Sequence, residues 1–269
     1  MAIHISIYSL PKQGHSPIEN QDASWPQLPK KQSFKNWPPI KNKKLPKFIA
    51  IADGASEGLF SGIWARIIAS RAKLAFQDNN LERILNGSLT AWARFMRRKT
   101  SQKANKGTPI TRLPTWMEEP ALEQGGFATL AAMQMTRDGK WSAIALGDSC
   151  VFQVRSDRLV FRFPISNTDD FNKRPHLLGS VLGIDKEAAK RIAITKKKKW
   201  KDGDRFYLMS DAMACWFLKQ ESLGEKPWTE LNRLGTDAPD ANFGDMVARW
   251  RENGEMRNDD VTLIRVDVK

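Results

Sequence analysis

The order of patterned segments predicts an α+β sandwich, with helices packed outside antiparallel sheets. Strand-like runs come early, two helical stretches follow, then a strand meander, then helices with strands between them. This is not the steady strand–helix alternation that builds a doubly wound parallel sheet. Four apolar runs, FIAIA, SAIALG, FYLMS and VTLIRV, have the length and the β-branched or aromatic content of buried strands. Three of them stop at an aspartate, Asp53, Asp148 and Asp211, and the fourth begins just after Asp259 and Asp260.

The elements follow in order. The first strand covers Ile3 to Tyr8, and a loop from Pro11 to Asp22 ends in ENQDA. Residues 25–47 are rich in Lys, Pro, Asn and Trp with little periodicity, and read as an exposed basic loop of a length that is commonly functional. Strand FIAIAD closes at Gly54. Leu59, Ile63, Ile67, Ile68 and Leu74 then recur at helical spacing, with Ser56 and Glu57 as a start signal. A second helix is expected from about Leu81 to Arg98, and KTSQKANKGTP reads as a basic loop.

FATLAAMQMT, WSAIALGDSCVFQVRS and LVFRFPIS read as consecutive antiparallel strands, the first two joined by the turn RDGK. Residues 167–183 are irregular. KRIAIT is a strand running into KKKKW, and KDGD turns the chain into FYLMSD. AMACWFLKQE and FGDMVARWREN are helical, and VTLIRVDV is the last strand. No internal repeat and no compositional break demands two domains, so residues 1–269 are read as one.

Composition narrows the classes. Apolar residues make up 41% of the chain, as in a globular protein, and no apolar stretch approaches a bilayer span. The first residues lack a basic segment followed by an apolar core, and the two cysteines, Cys150 and Cys215, read as buried thiols, so a cytoplasmic location is expected. The net charge of +13 admits an anionic partner: nucleic acid, phosphoprotein or anionic lipid. No patterned array of base-stacking aromatics accompanies it, which argues against nucleic acid. Neither a Cys-x5-Arg loop nor a G-x-S-x-G elbow is present, so cysteine- and serine-nucleophile chemistry lack support.

The aspartates carry the chemistry. In an antiparallel pair, an aspartate ending one strand can lie beside one starting its neighbour. Several carboxylates at one sheet edge repel unless a cation sits between them, and a divalent ion takes oxygen ligands. The pattern reads as a metal site at the rim of a sheet.

ENQDA, IAIADGAS, GGFATLAAMQM, WSAIALGDSCVFQV, KDGDRFYLMSDAM and RNDDVTLIRV, in that order and from about Ile3 to Val268, resemble the metal-dependent protein phosphatases of the 2C family. The chain is identified as a divergent member. The resemblance implies a four-layer α-β-β-α sandwich, two central antiparallel sheets flanked by helices. It implies two Mn2+ or Mg2+ ions and hydrolysis of phosphoserine or phosphothreonine in a protein by a hydroxide bridging the metals; a monomer is expected. Asp53 takes the position that bridges both ions, and the Gly54 carbonyl that of a ligand to the second. Asp211 and Asp259 match the ligands of the first ion, with Asp260 as an alternative one residue on.

Asp22 matches the second acid of the family's Glu-Asp pair, which acts through metal-bound water; Gln21 stands where the first acid is usual. Asp148 matches an acid that helps bind a third ion in some members, or else closes a tight turn. Against a third ion, Cys215 and Ala212 replace the usual acid and glycine. The arginine that grips phosphate before the acidic pair is missing from GHSPIENQD, leaving Lys12 or His15 as substitutes without its bidentate fork. Two further readings stay open: a catalytically weak scaffold of the same fold that binds an anionic or phosphorylated partner through basic loops, and a nucleic-acid binder whose acids are structural.

Overall fold

Two-residue periodicity in the strands decides which side chains face each other. In β1 (Ile3–Leu10), Ile3, Ile5 and Ile7 point to one face and His4, Ser6 and Tyr8 to the other. The computed structural model describes residues 3–27, 40–41, 47–56, 58–77, 82–106, 115–172, 174–181, 191–195, 197–236 and 242–269. Most of the basic loop read over 25–47 lies outside the described residues, as do Glu57 and Lys196.

Two antiparallel sheets stack face to face. The first holds, in order, β3 (Ile40–Lys41), β1, β14 (Val261–Val268), β13 (Arg205–Met209), β8 (Cys150–Arg155) and β9 (Arg158–Phe163). The second holds β11 (Ala193–Ile194), β7 (Lys140–Leu146), β6 (Leu130–Met135), β4 (Lys47–Ala52) and β2 (Ala23–Trp25), with β12 (Lys198–Lys199) also on β7. A two-stranded ribbon pairs β5 (Phe127–Ala128) with β10 (Leu178–Gly179).

Three cores separate the layers. Ile5, Ile7, Ile49, Ile51, Met133, Trp141, Phe206, Leu208, Ile264 and Val266 fill the space between the sheets. Outside the second sheet lie α1 (Ser61–Arg71) and α2 (Glu82–Lys106), packed through Trp64, Ile68, Ile84 and Trp92. Outside the first sheet lie α4 (Asp211–Ser222), α5 (Pro227–Arg233) and α6 (Phe243–Glu252), packed through Trp216, Phe217, Trp228 and Trp250. α3 (Thr115–Gln124) precedes β5. The architecture is the four-layer α-β-β-α sandwich that the resemblance implies.

Several local expectations change. α2 runs eight residues past Arg98, because Lys, Gln and Ala in KTSQKANK are strong helix formers. α3, which contains Pro120, and the short α5, opened by Pro227, have no clear apolar period to announce them. α1 starts at Ser61, since bonds from Gly58 N to Ala55 O (3.2 Å) and Ser61 N to Gly58 O (3.0 Å) keep the preceding residues in turns. WSAIALGDSCVFQVRS divides at Gly147–Ser149, where the chain leaves the second sheet for the first. Gly147 has φ +85°, and a Cβ there would meet the Thr129 side chain at 2.6 Å and the His176 carbonyl at 2.8 Å. Lys197, Lys198 and Lys199 are exposed beside the KDGD turn, with Lys198 Nζ 4.8 Å from the centroid of the Phe161 ring.

Candidate active site

Register brings the aspartates to one end of the sandwich. β2 and β4 pair Ala23 with Ala52, so the next step outward sets Asp22 against Asp53. β8 and β13 pair Cys150 with Met209, and extending that register sets Asp148 against Asp211. Asp259 and Asp260 precede β14, the neighbour of β13. Asp22 and Asp53 thus come from the second sheet, Asp211, Asp259 and Asp260 from the first, and Asp148 from the turn between them.

Asp53, Gly54, Asp148, Asp211 and Asp259 line one cavity of about 400 Å³, together with Ser56, Thr129 and Arg174. Backbone bonds fix its floor: Thr129 N donates to Asp53 O (2.9 Å), Ala55 N to Phe127 O (2.9 Å), and Gly54 bridges to Ala128. A Cβ on Gly54 would lie 2.8 Å from Gln21 O and 2.8 Å from Ser61 C, so only glycine lets these backbones meet. Gln21, with its amide oriented to satisfy its surroundings, donates to Gly54 O (2.8 Å) and Ala55 O (3.0 Å). It clips the Asp53–Gly54 turn in a way no ionised glutamate can.

The two neighbouring aspartates before β14 part company. Asp260 is buried and accepts from Lys12 N (2.8 Å) and Gln21 N (2.7 Å), tying the first loop to the last strand. Asp259 is the one that lines the cavity. Its backbone carbonyl accepts from Arg251 Nη2 (2.5 Å), whose guanidinium also approaches Pro11 O. Asp22 is buried with neither carboxylate oxygen in a hydrogen bond of ordinary geometry.

The electrostatics follow from crowding. Burial pushes the Asp22 carboxyl up to about 7; the charge of Asp260 and, less, of Asp259 adds to that, and the Ser210 and Thr262 hydroxyls partly oppose it. Asp53 is held well above the usual carboxylate range, first by desolvation and then by Asp22, Asp148 and Asp259. Burial also raises Asp148. Arg257 answers part of this excess: it pairs with Asp211 and stands 3.8 Å from Asp259. Among the described residues no three His, Cys, Asp or Glu side chains stand together as a ready cage for an ion.

Other sequence-based candidates fall elsewhere. The side chains of Lys12 and His15 line a separate cavity with Gly244 and Arg251, so proximity in sequence to Asp22 does not bring them into the acidic cavity. Cys150 is buried, and burial pushes its thiol up; its Sγ donates to Asp148 O (3.3 Å). Cys215 is half-buried against the core outside the first sheet, not in the acidic cavity. Arg174 and Arg257 were not singled out in the sequence, because both stand in irregular segments where no periodicity fixes a side chain's direction.

No family model matches the sequence, and no curated protein is significantly similar to it. Solved structures do match. The Mycobacterium tuberculosis serine/threonine phosphatase PstP/Ppp has 13% identity and a TM-score of 0.58, covering 100% of each chain. The catalytic domain of PstP in complex with 2 manganese ions has 14% identity and a TM-score of 0.55, covering 100% of this chain and 99% of that one. The S. agalactiae serine/threonine phosphatase has 15% identity and a TM-score of 0.52, covering 99% of this chain and 100% of that one. The chain shares the fold of the metal-dependent serine/threonine phosphatases.

Proposed function

We propose that this protein is a metal-dependent phosphatase that removes phosphate from serine or threonine of a phosphorylated protein. The observation that carries the reading is the convergence of Asp53, Asp148, Asp211 and Asp259, drawn from both sheets, on one cavity. The donors are all hard oxygens, they carry an excess of negative charge, and Asp22 behind them has two unpartnered oxygens. That chemistry fits Mn2+ or Mg2+. Asp53, Asp211, Asp259 and the Gly54 carbonyl would hold two such ions, after Asp211 and Asp259 turn from Arg257. Ions bound there supply a nucleophile from water at neutral pH and neutralise a phosphoryl group. Asp22, which holds a proton up to about pH 7 in the metal-free site, is the candidate proton acceptor. Gln21 and Gly54 keep the backbone beneath Asp53 in place.

Manganese titration of phosphate release from an aryl phosphate and a phosphopeptide tests this. The wild type should turn over only with metal, and Asp53→Asn and Asp211→Asn should each lose at least about 100-fold. Wild-type rates in both variants overturn the reading.

A second reading has its own support. Arg257 already neutralises Asp211 and Asp259, and Gln21 replaces an acid with a structural clip. A scaffold that binds a phosphorylated partner without turnover would bind a phosphopeptide and show no metal-dependent release.

A further inference from the structure

We infer that Arg174 supplies the phosphate-gripping guanidinium of this site, in place of an arginine before Asp22; this rests on the phosphatase reading above. Arg174 is the one cationic side chain among the described residues lining the acidic cavity. It is exposed, and no hydrogen bond or ion pair engages it among the described residues. Arg257, by contrast, is committed to Asp211 and Asp259. Lys12 and His15 open onto a different cavity.

The segment bearing Arg174 is built into the floor that holds Asp53. Leu178 and Gly179 pair with Ala128 and Phe127, the strand that bridges Gly54 and accepts from Ala55 N. Trp64 Nε1 donates to Leu178 O (2.7 Å), Gly126 N to Ser180 Oγ (2.8 Å), and Ser180 N to Gly126 O (2.9 Å). The His176 carbonyl lies 2.8 Å from where a Cβ on Gly147 would be, next to Asp148 in the chain. Arg191 Nη1 donates to His176 Nδ1 (3.0 Å), bracing the same turn. Pro175 restricts the backbone of Arg174 to extended conformations. A planar fork carried by a backbone braced this way suits two oxygens of a phosphoryl group.

The cavity's own charge sets the order of events. Four aspartates line it against Arg174 and the Arg257 paired with Asp211, so acids still outnumber cations and a phosphate dianion enters only once divalent ions have neutralised them. Phosphate should therefore need both the metal and Arg174.

Calorimetric titration of inorganic phosphate into the full-length chain, with and without Mn2+, tests this directly, alongside KM and kcat for an aryl phosphate. Phosphate should bind the wild type only with Mn2+. Arg174→Ala should weaken it about 10- to 100-fold, with KM rising by a similar factor and manganese affinity unchanged. Arg174→Lys should recover little of the loss, because an ammonium lacks the fork. Manganese-dependent phosphate affinity and KM left at wild-type values in Arg174→Ala overturn the inference while leaving the phosphatase reading intact, as does a manganese-loaded wild type that turns over yet takes up no phosphate. A wild type that binds phosphate through Arg174 but never turns over overturns the phosphatase reading and keeps the arginine's role.

Discussion

Arg257 pairs with Asp211 and lies 3.8 Å from Asp259, so a side chain of the protein holds the place where the acids would receive a cation. The pair is partly exposed, and its own contribution to stability is small, on the order of 1 kcal/mol. An ion entering between these acids would have to displace it. Arg257→Gln is expected to bind Mn2+ about tenfold more tightly by calorimetry. Unchanged or weaker binding shows that the arginine does not compete.

Asp53 is raised by its surroundings because burial and three neighbouring carboxylates disfavour its charge. Asp53→Asn removes that repulsion from the metal-free protein and a donor from the metal-bound one. The variant should melt higher than wild type without metal and lose most of the rise that millimolar Mn2+ gives the wild type. An undiminished manganese-induced shift in the variant counts against Asp53 as a ligand.

The Asp22 carboxyl sits at about 7 in the folded, metal-free protein, against an ordinary value of 3.8. Between those values the folded chain holds a proton that the unfolded chain has released. Stability of the metal-free protein therefore falls as pH rises from about 4 to about 7. Asp53, displaced in the same direction, steepens that fall. Denaturant melts across this range should show a shallower decline in Asp22→Asn. An identical slope in variant and wild type excludes Asp22 as a source.

Gln21 offers N–H groups to Gly54 O and Ala55 O. Glutamate at this position offers none when ionised and adds a charge beside Asp22 and Asp53. Gln21→Glu should cost about 1–3 kcal/mol without metal and show a larger manganese-induced rise in melting temperature than wild type. A metal-free stability equal to wild type shows that the clip contributes nothing.

At the opposite end of the first sheet, fully buried Asp204 accepts from Gln153 Nε2 (2.8 Å), Arg155 Nε (2.6 Å), Arg155 Nη2 (2.6 Å) and Lys201 N (2.8 Å). Asp204→Ala strands those donors and should cost about 3 kcal/mol in chemical denaturation. Manganese affinity should stay the same, since the acids lie at the other end of the strands. A loss of metal binding in the folded variant means the two ends are coupled.

The acids were legible in the sequence because two things that fix them are local: each stands at a strand end, and a strand's register with its neighbour follows from its alternating apolar face. The step from Ala23–Ala52 to Asp22–Asp53 is of this kind. Choosing between Asp259 and Asp260 was beyond it, since that depends on Lys12 N and Gln21 N arriving from the far end of the chain. Lys12 misled for a related reason: its neighbourhood to Asp22 in sequence is undone when its backbone is tied to Asp260 and the loop turns toward α6. Arg174 depends on the ribbon between β5 and β10, a two-residue pairing between segments fifty residues apart that no periodic pattern announces.

Asp22 and Asp53 hang from one sheet, while Asp211 and Asp259 hang from the other. A cation shared among them would act as a clasp across the seam of the sandwich. Such a clasp resists the two halves breathing apart, so slow amide exchange deep in β4 and β13 would become a gauge of ion occupancy many residues away.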